Sequence, residues 1–574
     1  MKDYGHIRNV YGTLLADLSI RQDLSALTKG LAAEASVSFD NIGGMNETTN
    51  KEYRYMNSNA SITSDGTLVT TPAIYGTDSE TLGHTQPFER LMLRSDFQAK
   101  VDYNRTFGKH QVGGALIYDM QSVVKNGRNN SQKNQSVLVN ATYTYDNRYS
   151  LNAVFNRSGS AYLPDGDKYS NYPAVSAAWI VSNEAFMEKV TPINLFKIRA
   201  SYGLSGWDGN LSHELWRQSY GSGGAGYNFG VNAGGQSGGS EGDLPVIGLV
   251  AEKSQKATFG FDLAAFDNRL NATVEGFYEK RSDILVSGAN STSGIIGITV
   301  GQVNEGIYKY KGLDASLSWN DKIGDFHYGI GASMSYLNTE VVNVNQAYQE
   351  YDYLYTKGNR IGQMYGLEAI GFFNSQQEIN NSPLQTFSDV APGDVKYKDQ
   401  NGDNRIDEKD VVKMFGSSVP RFYFGFNLNF SYKRLELSAD FQGMTGVTVS
   451  LLNSPLYSPL VSNGNISNTF LNEEISWTPE NKANATMPRL TTQENLNNYR
   501  ASSLWYRDGS FLKLRNLLVA YTFPKSQTRF ADLKVFVQGT NLFSLDNLHF
   551  ADPEQLGIAY PSTRSYWAGI KLNF

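Results

Sequence analysis

Apolar and polar residues alternate along most of this chain. From Arg421 to Tyr432 one face reads Phe422, Phe424, Phe426, Leu428, Phe430 and Tyr432, and the other Tyr423, Gly425, Asn427, Asn429 and Ser431. Period 2 over that length predicts a β-strand with one face for lipid or core and one for water. The chain then reverses at Lys433-Arg434 and continues with Leu435, Leu437, Ala439 and Phe441 against Glu436, Ser438, Asp440 and Gln442. The same hairpin recurs. Val137, Val139, Ala141, Tyr143 and Tyr145 run through Asn147-Arg148 into Tyr149, Leu151, Ala153 and Phe155. Phe259, Phe261, Leu263 and Ala265 run through Asp267-Asn268-Arg269 into Leu270, Ala272, Val274, Gly276 and Tyr278. Counting such runs gives roughly 17 to 19 strands of about 10 residues, the length that crosses an outer membrane at a steep tilt.

The connections are unequal. Some reverse in two residues, while the stretches near 207–253, 340–418 and 447–508 are long, polar and rich in Gly, Asn and Ser. Short turns at one end and long loops at the other predict a transmembrane antiparallel up-and-down β-barrel occupying residues 1–574, with those three stretches as extracellular loops. A large soluble all-β protein, such as an extracellular glycan-binding one, is the competing reading, though its strands would be shorter and its loops more even.

Composition agrees with the barrel. Aromatic residues make up 13% of the 574, which favours strands. No apolar run approaches the roughly 18 residues of a membrane helix, since the longest is Ala174 to Val181 with Ser176 inside it. A net charge of -6 and no basic stripe argue against a nucleic-acid partner, and the absence of cysteine excludes disulfides and thiolate chemistry. Met1 to Ala16 has neither a basic-then-apolar leader pattern nor a cleavage site, so no signal peptide is expected in this chain.

Candidate chemistry is sparse. Asp399, Asn401, Asp403, Arg405, Asp407 and Asp410 fall on positions 1, 3, 5, 7, 9 and 12 of an EF-hand-type loop, where oxygens would surround a hard cation such as Ca²⁺. Asn404 stands where such loops carry glycine. The same Asp and Asn side chains can instead cap local backbone, and both readings stay open. Trp207, Trp216, Tyr220, Tyr227, Tyr351, Tyr353 and Tyr355 lie in or beside long loops, where they could stack on sugar rings or simply pack the loops. Six scattered histidines and the Glu473-Glu474 pair form no catalytic motif, so no enzyme is expected.

Several segments together resemble the SusC/RagA class of TonB-dependent outer-membrane transporters. They are Tyr172 to Trp179 followed by Leu195 to Gly206, Ala391 to Asp410 followed by Gly416 to Gly425, Trp477 to Asn481, Pro488-Arg489, Ser503 to Leu514, Asn541 to Phe543, and Tyr560 to Phe574. In the last strand, Gly569, Leu572 and Phe574 are similar to the terminal signal read by the barrel-assembly machinery. The resemblance implies a Gram-negative outer-membrane importer of an oligosaccharide, or a peptide, working beneath a SusD-like lipoprotein. It also implies a barrel of about 22 strands around a plug that couples to TonB through a TonB box. Neither plug nor TonB box is visible here, so the chain is expected to supply a partial barrel, its C-terminal part. A passive plugless pore, or a barrel fragment without function, is the other membrane reading.

Overall fold

The computed structural model describes residues 5–574 except 63–66, 126–130, 213–214, 229–234, 289–294, 296, 299, 453, 455–474, 492, 549–550 and 557–561. One antiparallel meander dominates it. The wall strands are β1 (Gly5–Asp23), β2 (Leu31–Asn50), β3 (Phe88–Phe107), β4 (His110–Lys125), β5 (Ser131–Tyr145), β6 (Tyr149–Ser160), β7 (Tyr169–Ile180), β8 (Ile193–Trp207) and β9 (Glu252–Ala265). They continue with β10 (Leu270–Ser287), β11 (Gln302–Ile323), β12 (Phe326–Asn343), β13 (Phe422–Tyr432), β14 (Leu435–Thr445), β15 (Phe511–Phe523), β16 (Asp532–Asp546) and β17 (Ser565–Asn573). Among the described residues the sheet has 18 strands, one of which, Gly83–Thr85, is a three-residue appendage on β2, so the described wall has 17. Each wall strand pairs antiparallel with the next, and among the described residues no ladder joins β1 to β17.

Register puts the apolar faces side by side. Phe426 lies opposite Ala332 on β12 and Phe441 on β14, and the two phenylalanine rings stack at 4.4 Å. Phe259 opposes Ala200 and Gly276, Leu437 opposes Val519, and Val537 opposes Ala568. These residues do not meet in a packed interior. Phe259 is 63% exposed and Val537 56%, as expected of side chains that clothe the outside of a cylinder in lipid. The opposite face of the same strands carries Asp262, Thr273, Asp314, Ser333, Asn427 and Asp440, which therefore line the lumen. No described helix is long and apolar enough to cross a membrane.

The short turns close as the Asx residues dictate. Asp146 and Asn147 take φ of 51° and 53°, and Asp267 and Asn268 take 59° and 63°, the left-handed region that Asn and Asp tolerate best among side-chain-bearing residues. At the other end the long connections fold on themselves. Leu163, Leu211, Val246, Leu249 and Ala251 form one small core from the β6–β7 and β8–β9 loops. The β12–β13 and β14–β15 loops build two more, around Val395, Tyr397 and Ile406, and around Leu451, Met487 and Trp505, with Leu504 packed against both.

Candidate functional site

The candidate site is the lumen wall together with the loops above it. On the wall, small inward residues leave room and charged ones are held by their neighbours. Arg199 reaches Asp262 at 3.3 Å and also pairs with Glu275, while Lys197 lies 3.5 Å from Asp262. Ser335 donates to Asp314 at 2.6 Å, and Asn516 donates to Asp440 at 3.3 Å. Gly331, Ser333 and Gly425 are small, and two open hollows of about 620 and 560 Å³ lie over β8 to β14. Around the ring, Arg21 on β1 bonds Glu34 at 2.9 Å and Asp102 at 3.1 Å. The surface is one of hydroxyls, amides and paired charges, which suits a polar solute.

The loops above are tied together by a buried carboxylate. Asp394 is fully buried and accepts from Arg489 Nε at 2.7 Å and Nη2 at 3.2 Å, from Asn495 at 3.1 Å, from Asn498 at 2.9 Å and from the Ala391 amide at 2.8 Å. A buried charge so completely bonded is stable only while every partner stays in place, so it locks the β12–β13 loop to the β14–β15 loop. Beside it Tyr397 donates to the Asn497 carbonyl at 2.7 Å, and burial pushes its phenol far above the ordinary range. Burial alone takes Tyr499, stacked on Trp505, up to about 12.

The Asp399 to Asp410 loop is ordered by its own side chains. Asp399 accepts from the amides of Gly402 and Asn404 at 2.7 and 2.8 Å, Asn401 from Asp403 at 3.0 Å, Asp403 from Arg405 at 2.9 Å, and Asp407 from Lys409 at 2.8 Å. Asp410, fully buried, accepts from Gln400 at 2.8 Å and Asp407 at 2.9 Å. Asn404 takes φ of 61°, the left-handed turn for which such loops use glycine. Arg405 contributes backbone to a two-residue parallel pairing with Leu384 and Gln385. Among the described residues no group of three or more His, Asp or Glu side chains converges as a metal site would require. These carboxylates cap backbone amides, and the cation expectation rests on spacing alone.

The aromatic candidates divide. Tyr351 stacks on Tyr353 at 5.3 Å, Tyr353 donates to the Lys409 carbonyl, Tyr355 bonds Gln349, and Trp216 packs on the Leu249 core under Arg217. Those four hold loops together. Trp207 and Tyr220 stand exposed, and the side chain of Tyr227, with the Glu473-Glu474 pair, lies outside the described residues. In β17, Leu572 pairs with Leu533, Gly569 opposes Phe536, and Phe574 is 90% exposed at the end of the chain. Two features were not foreseen: the Asp394 lock, and an inward cluster around Glu252 at the mouth of the barrel. Neither has a local spacing that would announce it.

No family model matches the chain. A TonB-dependent receptor, P26 of Formosa agariphila, is 28% identical over 461 residues, covering 75% of this chain and 45% of the relative. SusC of Bacteroides thetaiotaomicron is 22% identical over 467 residues, covering 75% and 43%. The solved structure of the RagAB peptide transporter superposes with a TM-score of 0.73 at 17% identity over 99% of this chain and 62% of that one. By sequence and fold the chain is similar to the SusC type of TonB-dependent receptor. It spans about half the length of the curated relatives it matches. The outward phenylalanines fit a wall of that kind, and the proteins the chain resembles are named receptors and transporters, not enzymes.

Proposed function

We propose that this chain forms the wall and mouth of an outer-membrane importer, working with TonB, for a nutrient too large for simple pores. The nutrient is an oligosaccharide, with a peptide as the second candidate, and a SusD-like surface lipoprotein seats on the loops. The carrying observation is the two-faced wall: apolar side chains outward on every strand of β8 to β14, carboxylates, amides and hydroxyls inward, under loops with cores of their own. A lumen lined by paired charges offers hydrogen bonds to a polar solute, and energy for release must come from outside the wall, through TonB.

The experiment is deletion of the gene in its own host, followed by growth on single glycan or peptide sources with TonB present or depleted. Loss of growth on one source, reproduced by TonB depletion, is the expected result. Unchanged growth on every source would overturn the importer reading. Rescue that persists without TonB, with a large steady conductance in planar bilayers, would make the chain a passive pore instead.

A further inference from the structure

At the mouth end of β9, β10 and β11 the inward face changes character. Glu252, the first residue of β9, shares a face with Lys256 on its own strand, Phe277 and Arg281 on β10, and Tyr308 and Tyr310 on β11. At the same height the outward residues are Lys253, Gln255, Lys280 and Lys309, so this rung stands above the lipid belt and looks into water-filled lumen. A cation lies over one face of two of these rings, leaving the other face of each to the lumen. The Arg281 guanidinium sits 4.8 Å from the Tyr310 ring, and the Lys256 ammonium 5.1 Å from that of Phe277. Trp207, directly opposite Glu252 in the β8–β9 ladder, is half exposed beside them.

Glu252 is the odd member. It is only 7% exposed, yet among the described residues its carboxylate receives no hydrogen bond. Its one charge partner, Arg281, keeps Nη1 at 3.8 Å because Nε is committed to Glu279 at 2.6 Å, where Ser254 also donates at 2.8 Å. Elsewhere in this chain buried carboxylates are saturated, as Asp394 and Asp410 are. The Glu252 oxygens are not among the buried unpartnered atoms, so they open onto the lumen, where water or a ligand supplies the donors that the protein does not.

We propose that Glu252, Tyr308 and Tyr310 form a subsite for one pyranose ring of a neutral glycan, which donates hydroxyls to Glu252 and packs its C–H face on the tyrosines. This rests on the importer reading. Neighbouring hydroxyls on one sugar edge supply two donors to one carboxylate, and the ring face at right angles to them is apolar. A cationic group would lie beside Arg281 and Lys256, and an anionic one beside Glu252, so the charges here favour an uncharged ligand.

The test is binding of the full chain, purified in detergent, to an array of neutral oligosaccharides, acidic oligosaccharides and short peptides. At least one neutral oligosaccharide should bind, and Glu252→Leu and Tyr310→Ala should each weaken it tenfold or more. Glu252→Leu should melt at the wild-type temperature or above it, because no protein donor bonds this carboxylate; a lowered melting temperature would mean that the carboxylate braces the fold, and would overturn the proposal. Retention of acidic oligosaccharides or peptides only, no neutral binding at all, or equal binding by wild type and both variants would do the same. Glu252→Gln, which keeps an acceptor oxygen and the shape, should bind better than Glu252→Leu. Since binding is read on purified protein, failure of TonB-dependent growth with intact binding would reject the importer reading and leave the subsite standing.

Discussion

Single residues decide whether the loops above this wall hold their shape. In the Asp399 to Asp410 segment each carboxylate is spent on amides two to ten residues away, and Asp410 is the centre because it is buried and bonds both ends of the turn. Asp410→Ala leaves the Gln400 and Asp407 amides without their acceptor, a loss on the order of 1–3 kcal/mol for each buried donor. Limited proteolysis should therefore cut this loop in the variant and spare it in the wild type. The same assay decides between capping and a cation: capping predicts equal protection in Ca²⁺ and in chelator, whereas a Ca²⁺-braced loop would be protected only with the ion. Asp394 shows why such residues escape a reading of the sequence. Its partners Asn495 and Asn498 are 101 and 104 residues away, and no periodicity connects them.

Elements follow simpler rules, and most were legible. The run from Phe422 to Tyr432 is a strand because its period is 2, and the turns at Asp146-Asn147 and Asp267-Asn268 sit where Asx residues tolerate positive φ. The rung around Glu252 was not legible, since it is assembled across three strands whose register only the ladder fixes. Facing predicts unequal cost within one strand. Phe426→Arg, placing a charge on the lipid side, should destabilise by about 2–4 kcal/mol near the bilayer centre, while Asn427→Arg, facing the lumen, should cost little; urea unfolding in lipid vesicles measures both, and equal costs would contradict the assigned faces. The β16–β17 connection makes a second prediction. Lys513, on β15, reaches Asp552 at 2.5 Å and Glu554 at 2.6 Å, and Arg515 reaches Glu554 at 2.5 Å. Burial pushes both carboxyls up, but hydrogen bonds from Lys513 to both, from Ser562 to Asp552 and from Arg515 to Glu554 outweigh it, holding both below the usual carboxylate range. A depressed folded value means that the contact stabilises fully above the unfolded pKa of about 4 and fades as pH falls through the lower folded value. Protection of the amides over 551–556, corrected for their intrinsic exchange rates, should accordingly hold from pH 7 to 5 and fall below about 4, and Lys513→Met should shrink that pH dependence, leaving the part that Arg515 and Ser562 supply.

The whole molecule is constrained by the parity of its wall. Seventeen strands joined by antiparallel ladders leave β1 and β17 running the same way, so joining them directly would require one parallel junction. A barrel antiparallel throughout has an even number of strands, and a bare sheet edge in lipid leaves its amides and carbonyls without partners. Strands that satisfy both edges can keep the antiparallel order only if they are odd in number. A second copy in the same membrane orientation cannot meet that condition edge to edge, because its β1 also runs with β17. The chain has no cysteine, which makes the geometry directly measurable. Leu14→Cys paired with Asn41→Cys, opposite each other on the outward faces of β1 and β2, should form a disulfide under mild oxidant in the membrane. Leu14→Cys paired with Ala568→Cys, outward on β17, should not, because the two edges are not neighbours. An efficient bridge in the second pair would mean that the wall closes on itself through a parallel seam.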